Sequence, residues 1–177
     1  TSGSTWHAAG LLPLFNMSYS VGQIHKYSVN LYQKLEEESG QTVGLRQVSN
    51  IRLACTADRM DEYRFYAGVA KTIGVDVRYL TPDDVKQIWP LCNTDGLIGA
   101  IQHPDDGYIQ PADLTQALAI GARNMGAEIY RNTTVTAIKA TTDGDWCVET
   151  DQGEIVCQHV VSATGNFARK TGAMVGL

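Results

Sequence analysis

The sequence predicts a mixed α/β or α+β chain. Runs of helical period alternate with short strand-like runs, Gly, Pro and Asp punctuate the joins, and the last third is denser in alternating segments than the rest. Over 177 residues, 44% hydrophobic and 19% charged, the composition is that of a packed domain, with no internal repeat or low-complexity tract.

Residues 1–9 are rich in Ser, Thr and Gly and read as a loop. Residues 21–39 read as a helix with Ile24, Tyr27, Leu31 and Leu35 as its apolar stripe and Gly40 as its cap. His25 falls on the polar flank of that helix, and Glu36, Glu37 and Glu38 form a solvated end. Residues 45–55 alternate with a break at Ser49-Asn50, which predicts two strands joined by a turn. A helix over 57–73 stops at Gly74, and 75–80 is a short strand. Thr81-Pro82-Asp83-Asp84 opens the next helix: Thr81 suits the N-cap, Pro82 the first turn and Asp84 a capping box. It ends near Pro90.

Residues 96–103 form a strand, and Pro104-Asp105-Asp106-Gly107 a turn whose aspartates cap backbone N–H groups. Tyr108 after it reads as packing. Pro111 starts a helix whose inner face is Leu114, Ala117, Leu118, Gly121, Ala122 and Met125, small enough to lie close against a sheet and stopped by Gly126. Strands follow at 127–130, 134–140, 146–150, 154–157 and 160–163, with turns at Asp143-Gly144 and Gln152-Gly153. A short helix spans 167–174.

Several function classes are excluded. Net charge is −5 with no Lys/Arg run, so nucleic acid is not an expected partner. No stretch approaches the about 20 apolar residues of a membrane helix, so no membrane role is expected. The start lacks a basic and then apolar leader and an initiator Met, and the chain reads as cut from something longer. Cys55, Cys92, Cys147 and Cys157 lack metal-ligand spacing and are read as reduced structural thiols, with no metal site expected.

Two motifs bear on chemistry. In Gly3-Ser4-Thr5-Trp6-His7-Ala8-Ala9-Gly10-Leu11, small residues flank a Trp-His pair, which lets backbone approach a large flat ligand. In Val160-Val161-Ser162-Ala163-Thr164-Gly165, an apolar run meets Gly at a helix start, where anions are favoured. On these residues alone, His7 fits a solvated loop histidine or a ligand contact, and the second motif a plain turn or a nucleotide cradle. No G-x-G-x-x-G, Walker, G-x-S-x-G or H-E-x-x-H motif occurs.

Together these stretches resemble the dimethylglycine dehydrogenase and sarcosine dehydrogenase family. The likeness starts with Gly3–Leu11 and continues through Tyr32 to Gly40, Asp61-Glu62-Tyr63, Pro104 to Gly107, Gly121-Ala122-Arg123, Val148-Glu149-Thr150, Ser162 to Gly165 and Gly172-Ala173-Met174. The resemblance implies part of an FAD-binding domain of the D-amino-acid-oxidase-like type with a sheet-rich substrate-side subdomain. Residues 1–44 would supply FAD contacts, 45–110 the substrate side, and 111–177 the return to the FAD domain.

The resemblance also implies FAD bonded covalently to His7, with contacts from Gly3, Ser4, Thr5, Trp6, Ala8, Ala9, Gly10, Leu11, Val135, Ala163, Gly165 and Phe167. Phe167 stands where the family has Trp, and Thr164 where it has Ala. Members oxidise an N-methyl group of a methylated glycine by hydride transfer to flavin and pass electrons to a flavoprotein or O2. The carbon goes to tetrahydrofolate, bound by a domain absent here, or leaves as formaldehyde. The implied setting is the bacterial cytoplasm or the mitochondrial matrix. The G-x-G-x-x-G unit and the substrate-pocket residues lie outside this sequence, so no catalytic residue is assigned and the isolated chain is expected to be inactive. A second reading on the same fold is a non-catalytic regulatory protein like the pyruvate dehydrogenase phosphatase regulatory subunit. That protein lacks the attachment His, so His7 favours the enzyme.

Overall fold

A computed structural model describes residues 3–177. Packing divides them into two units, residues 5–125 and residues 126–177, with Gly3 and Ser4 grouped with the second.

In the first unit, α1 (Tyr19–Ser39) starts at Ser18, whose hydroxyl accepts from Val21 N, and ends on left-handed Gly40. Its buried residues are Gly22, Val29 and Leu35. The expected stripe is therefore turned: Ile24 and Tyr27 are exposed, because Gly22 lets Ile73 of α2 (Ala57–Ile73) approach that side of the helix. Left-handed Gly74 ends α2 as expected. The helix α3 (Pro82–Ile88) has the anticipated capping box between Thr81 and Asp84.

The strands β1 (Leu11–Leu12), β2 (Arg46–Gln47) and β6 (Gly107–Tyr108) form one antiparallel sheet in the order β1-β6-β2. The strands β3 (Asn50–Ala54), β4 (Arg78–Leu80) and β5 (Gly99–His103) form another in the order β3-β5-β4. The expected Ser49-Asn50 break is present, but it does not make a hairpin. β2 pairs with β6 and β3 with β5, and Ser49, at φ 65°, steers the chain from one sheet to the other.

The period-2 pattern of β3 puts Ala54 in a core with Tyr63, Tyr66, Ala70 and Ile101. Ile51 and Leu53 face Val85, Cys92 and Ala100. Each large apolar side chain buried this way contributes about 1.5–3 kcal/mol. The helix α4 (Pro111–Asn124) packs against α1 rather than a sheet, with Ala117 buried beside Leu35, and a Cβ placed on Gly121 would lie 3.8 Å from Leu35 Cδ1. Leu118 and Met125 are exposed, so its inner face is narrower than expected.

In the second unit, β7 (Val135–Ala140), β8 (Trp146–Thr150) and β9 (Gly153–Cys157) form an antiparallel meander turned at the two expected sites. A 3-10 helix over Gly165–Phe167 leads into α5 (Ala168–Ala173). The strands expected at 127–130 and 160–163 do not form. Among the described residues no strand pairs with either stretch, and an extended segment without a ladder partner is not a strand. All four cysteines are free thiols. Among the described residues no His/Cys/Asp/Glu group can hold a metal, and no helix is long and apolar enough to cross a membrane.

Candidate FAD-contact site

The first motif is not the irregular loop expected of 1–9: Gly3–His7 is a 3-10 helix, and Thr1 and Ser2 lie outside the described residues. Gly3 permits the entry at φ 62°. Ala8 N donates to Thr5 O at 3.3 Å and closes the turn. His7, Ala8 and Ala9 are exposed, as are Trp6 (72%) and Leu11 (68%). Among the described residues the His7 ring makes no hydrogen bond.

The exit of this stretch is tightly held. Gly10 has φ 74°, and a Cβ there would lie 2.0 Å from Ile109 O. Its carbonyl accepts from Ile109 N at 2.8 Å. Leu11 then pairs with Tyr108 and Leu12 with Gly107. Leu14 N donates to Asp106 Oδ1 at 2.8 Å, and Leu14 O accepts from the Tyr66 hydroxyl at 3.2 Å. Tyr108 pairs with Leu11 and Arg46 on this ladder but its side chain is exposed, so it is not packed as expected.

Behind the exit lies a buried polar cluster that the sequence did not reveal. His103 is 0% and Asp106 1% exposed. His103 Nε2 lies 3.1 Å from the Tyr66 hydroxyl oxygen. That hydroxyl donates to Leu14 O, so the imidazole N–H is the donor to it and Nδ1 keeps a bare lone pair. The Arg52 guanidinium stacks 4.0 Å over the Phe15 ring. Burial first, then Arg52, drives the His103 pKa down to about 4. Burial pushes Asp106 up to about 6 against the lowering effects of the Leu14 N–H and Arg52, and pushes Tyr66 up to about 12. His103 sits at the end of a strand and Asp106 in an apparently ordinary turn, so no periodic signal marks them. Asp106 does cap a backbone N–H, but that of a residue 92 positions away.

His25 is not solvated as expected. It is half-buried, and with Leu11, Leu12, Pro13, Ser28, Val29 and Tyr32 it lines a cleft of about 220 Å³.

In the second unit, Gly165 adopts φ 56° and Phe167 N donates to Thr164 O at 3.0 Å. The Thr164 hydroxyl is taken up inside the turn, 3.2 Å from Ser162 Oγ and 2.8 Å from Thr171 Oγ1. Asn166 Nδ2 donates to Ser4 Oγ at 3.4 Å, a bond within the second unit. Ala163 and Gly165 are exposed, as is Phe167 (68%). Val135 opens β7 opposite Thr150, beside an irregularity in the ladder.

The class of protein to which this fold belongs follows from its similarity to known proteins. The FAD dependent oxidoreductase family matches residues 1–177, and this chain belongs to it. Dimethylglycine dehydrogenase, mitochondrial, of Homo sapiens is 42% identical over 177 residues, which is 100% of this chain and 20% of that protein. Sarcosine dehydrogenase, mitochondrial, of Homo sapiens is 34% identical over 183 residues, 100% of this chain and 20% of that protein. The crystal structure of L-proline dehydrogenase from P. horikoshii superposes with TM-score 0.89 at 27% identity, covering 99% of this chain and 46% of that one. The chain thus spans about a fifth of the length of these two dehydrogenases. Its residues fit the family's cofactor: glycine backbone at positive φ lies beside exposed Trp6 and Leu11 in one unit and beside exposed Phe167 in the other.

Proposed function

We propose that this chain is the FAD-contact portion of an amine dehydrogenase that demethylates an N-methylated glycine, dimethylglycine or sarcosine, with His7 the point of covalent attachment. The observation that carries the reading is the placement of His7. It is exposed and without hydrogen bonds among the described residues, and it lies between two glycines at positive φ beside an exposed Trp6. A neutral imidazole nitrogen free of hydrogen bonds is available as a nucleophile.

FAD, when bound, supplies the two-electron acceptor for the hydride that leaves the N-methyl carbon. The protein's part is positional. Gly3 and Gly10 let backbone come close to the cofactor, Trp6 and Leu11 offer apolar surface to the ring, and Ala163, Gly165 and Phe167 serve the nucleotide side with backbone from Val135. Residues 1–44 and 111–177 would contribute FAD contacts and 45–110 the substrate side. The electron acceptor would be a flavoprotein or O2, and tetrahydrofolate would act at a separate domain. The setting would be the mitochondrial matrix or the bacterial cytoplasm.

The test is turnover of the protein expressed with its native flanking sequence on dimethylglycine, sarcosine and glycine betaine. Oxidation of one of the first two, with formaldehyde formed when folate is withheld, is expected. Oxidation of none, with a change in a partner enzyme's activity, would favour the regulatory reading.

A further inference from the structure

We propose that Asp106 is a positioning residue for the His7 stretch: its buried carboxylate takes the Leu14 N–H and so fixes residues 10–14 against β6. The inference rests on the reading of His7 as a flavin contact and assigns it a specific support.

Asp106 ties three segments together through separate atoms. Oδ1 accepts from Leu14 N at 2.8 Å, while its carbonyl oxygen accepts from Val48 N at 3.2 Å and Ser49 N at 2.9 Å. The second pair holds Ser49 in a left-handed conformation at φ 65°, which an L side chain adopts at a cost of about 1–2 kcal/mol. The next residue, Gly107, has no room for a side chain, since a Cβ would lie 2.0 Å from Arg46 O. β6 is therefore clamped between β1 and β2, and Asp106 is the residue at its start.

From Leu14 the connection to His7 is short and continuous. Leu12 and Leu11 are in register on β6, Gly10 O is bonded to Ile109 N, and Ala9 and Ala8 lead to His7. A slip at Leu14 displaces this path as a unit, because a strand shifted by one residue turns every side chain to the opposite face.

The surroundings distinguish this residue from a routine turn aspartate. Oδ2 is buried with no hydrogen-bond partner among the described residues. The charged and titratable groups facing the carboxylate are Arg52 of β3, Tyr66 of α2 and Asp105 of the same turn, with His103 of β5 bonded to Tyr66. The energetic cost of the buried carboxylate falls where the chain emerges from the proposed cofactor contact, and perturbed groups of this kind gather at functional sites.

The test compares Asp106→Ala and Asp106→Asn with the unsubstituted protein, each expressed with its native flanking sequence and FAD. Two readouts are taken: backbone hydrogen exchange over residues 10–14, and flavin retained after acid precipitation. Asp106→Ala is expected to exchange at least about tenfold faster at Leu12 and Leu14, with the β7–β9 meander unchanged, and to retain several-fold less flavin. Asp106→Asn keeps the acceptor and is expected to restore both. Unchanged exchange in Asp106→Ala, or faster exchange with undiminished flavin, overturns the proposal. If Asp106→Ala does not fold, Asp106→Asn decides: a folded but unloaded Asp106→Asn protein overturns it as well. An unsubstituted protein with no flavin in any form sinks the cofactor reading and this inference with it. Flavin that is bound but released by acid removes only the covalent bond, and loading is then compared by visible absorbance before precipitation.

Discussion

Ile109 N donates to Gly10 O at 2.8 Å, and the Ile109 carbonyl oxygen would stand 2.0 Å from any Cβ placed on Gly10. Gly10→Ala therefore combines a clash with backbone and a left-handed φ, and is expected to lower stability by at least about 2 kcal/mol. Gly3→Ala has a similar φ but no neighbour within 4 Å among the described residues, so only the conformational cost of about 1 kcal/mol applies. Urea midpoints of the two variants measure the difference, and equal losses would contradict it.

The buried His103 and Asp106 produce opposing pH dependences. His103, lowered from 6.5 to about 4, stays neutral in the fold. Its stabilising contribution is complete above pH 6.5 and falls by about 3 kcal/mol as pH drops to 4. Asp106, raised from 3.8 to about 6, holds its proton longer when folded, so its contribution grows by about 3 kcal/mol as pH drops from 6 to 3.8. The two nearly cancel between pH 6.5 and 4. Asp106→Asn removes one side, and is expected to be more stable than the unsubstituted protein at pH 7 but to lose stability steeply toward pH 4. His103→Gln is expected to slope the other way. Denaturant titrations at pH 4, 5, 6 and 7 measure both slopes; parallel profiles would contradict the assignment.

Tyr66 is 0% exposed and its hydroxyl serves both Leu14 O and His103 Nε2. Tyr66→Phe keeps the ring but strands a buried acceptor and a buried donor, at an expected cost of about 1–3 kcal/mol. The variant's thermal midpoint should fall, and hydrogen exchange at Leu14 should rise with it. A midpoint unchanged from the unsubstituted protein would mean these bonds contribute nothing.

The start of α3 offers a local comparison. Thr81 accepts from Asp84 N at 3.2 Å while the Asp84 carboxylate accepts from Thr81 N at 2.8 Å. Thr81→Ala is expected to cost about 1 kcal/mol, read as a shift in the urea midpoint with little effect on flavin retention.

What the sequence revealed follows from the range of the interactions involved. The ends of α1 and α2 at Gly40 and Gly74, the box at Thr81 and the turns at 143–144 and 152–153 are set by neighbours within four residues, and all were legible. The buried face of α1 was not, because it depends on where Ile73 meets Gly22. Strands at 127–130 and 160–163 failed for the same reason, since an apolar run is a strand only beside another. Ser49 was recognised as a break but not as the passage between two sheets. At the site, His7 and its small neighbours are visible as a motif, while the partnership of Asp106 with Leu14 spans 92 residues and leaves no local pattern.

The proposed covalent bond between His7 and FAD is open to direct measurement. The most direct measurement is the flavin absorbance that stays with the polypeptide after acid precipitation, for the protein with its native flanking sequence and for His7→Ala. Pigment is expected to stay with the unsubstituted protein and to be released from His7→Ala. Equal release from both, or equal retention, would contradict it.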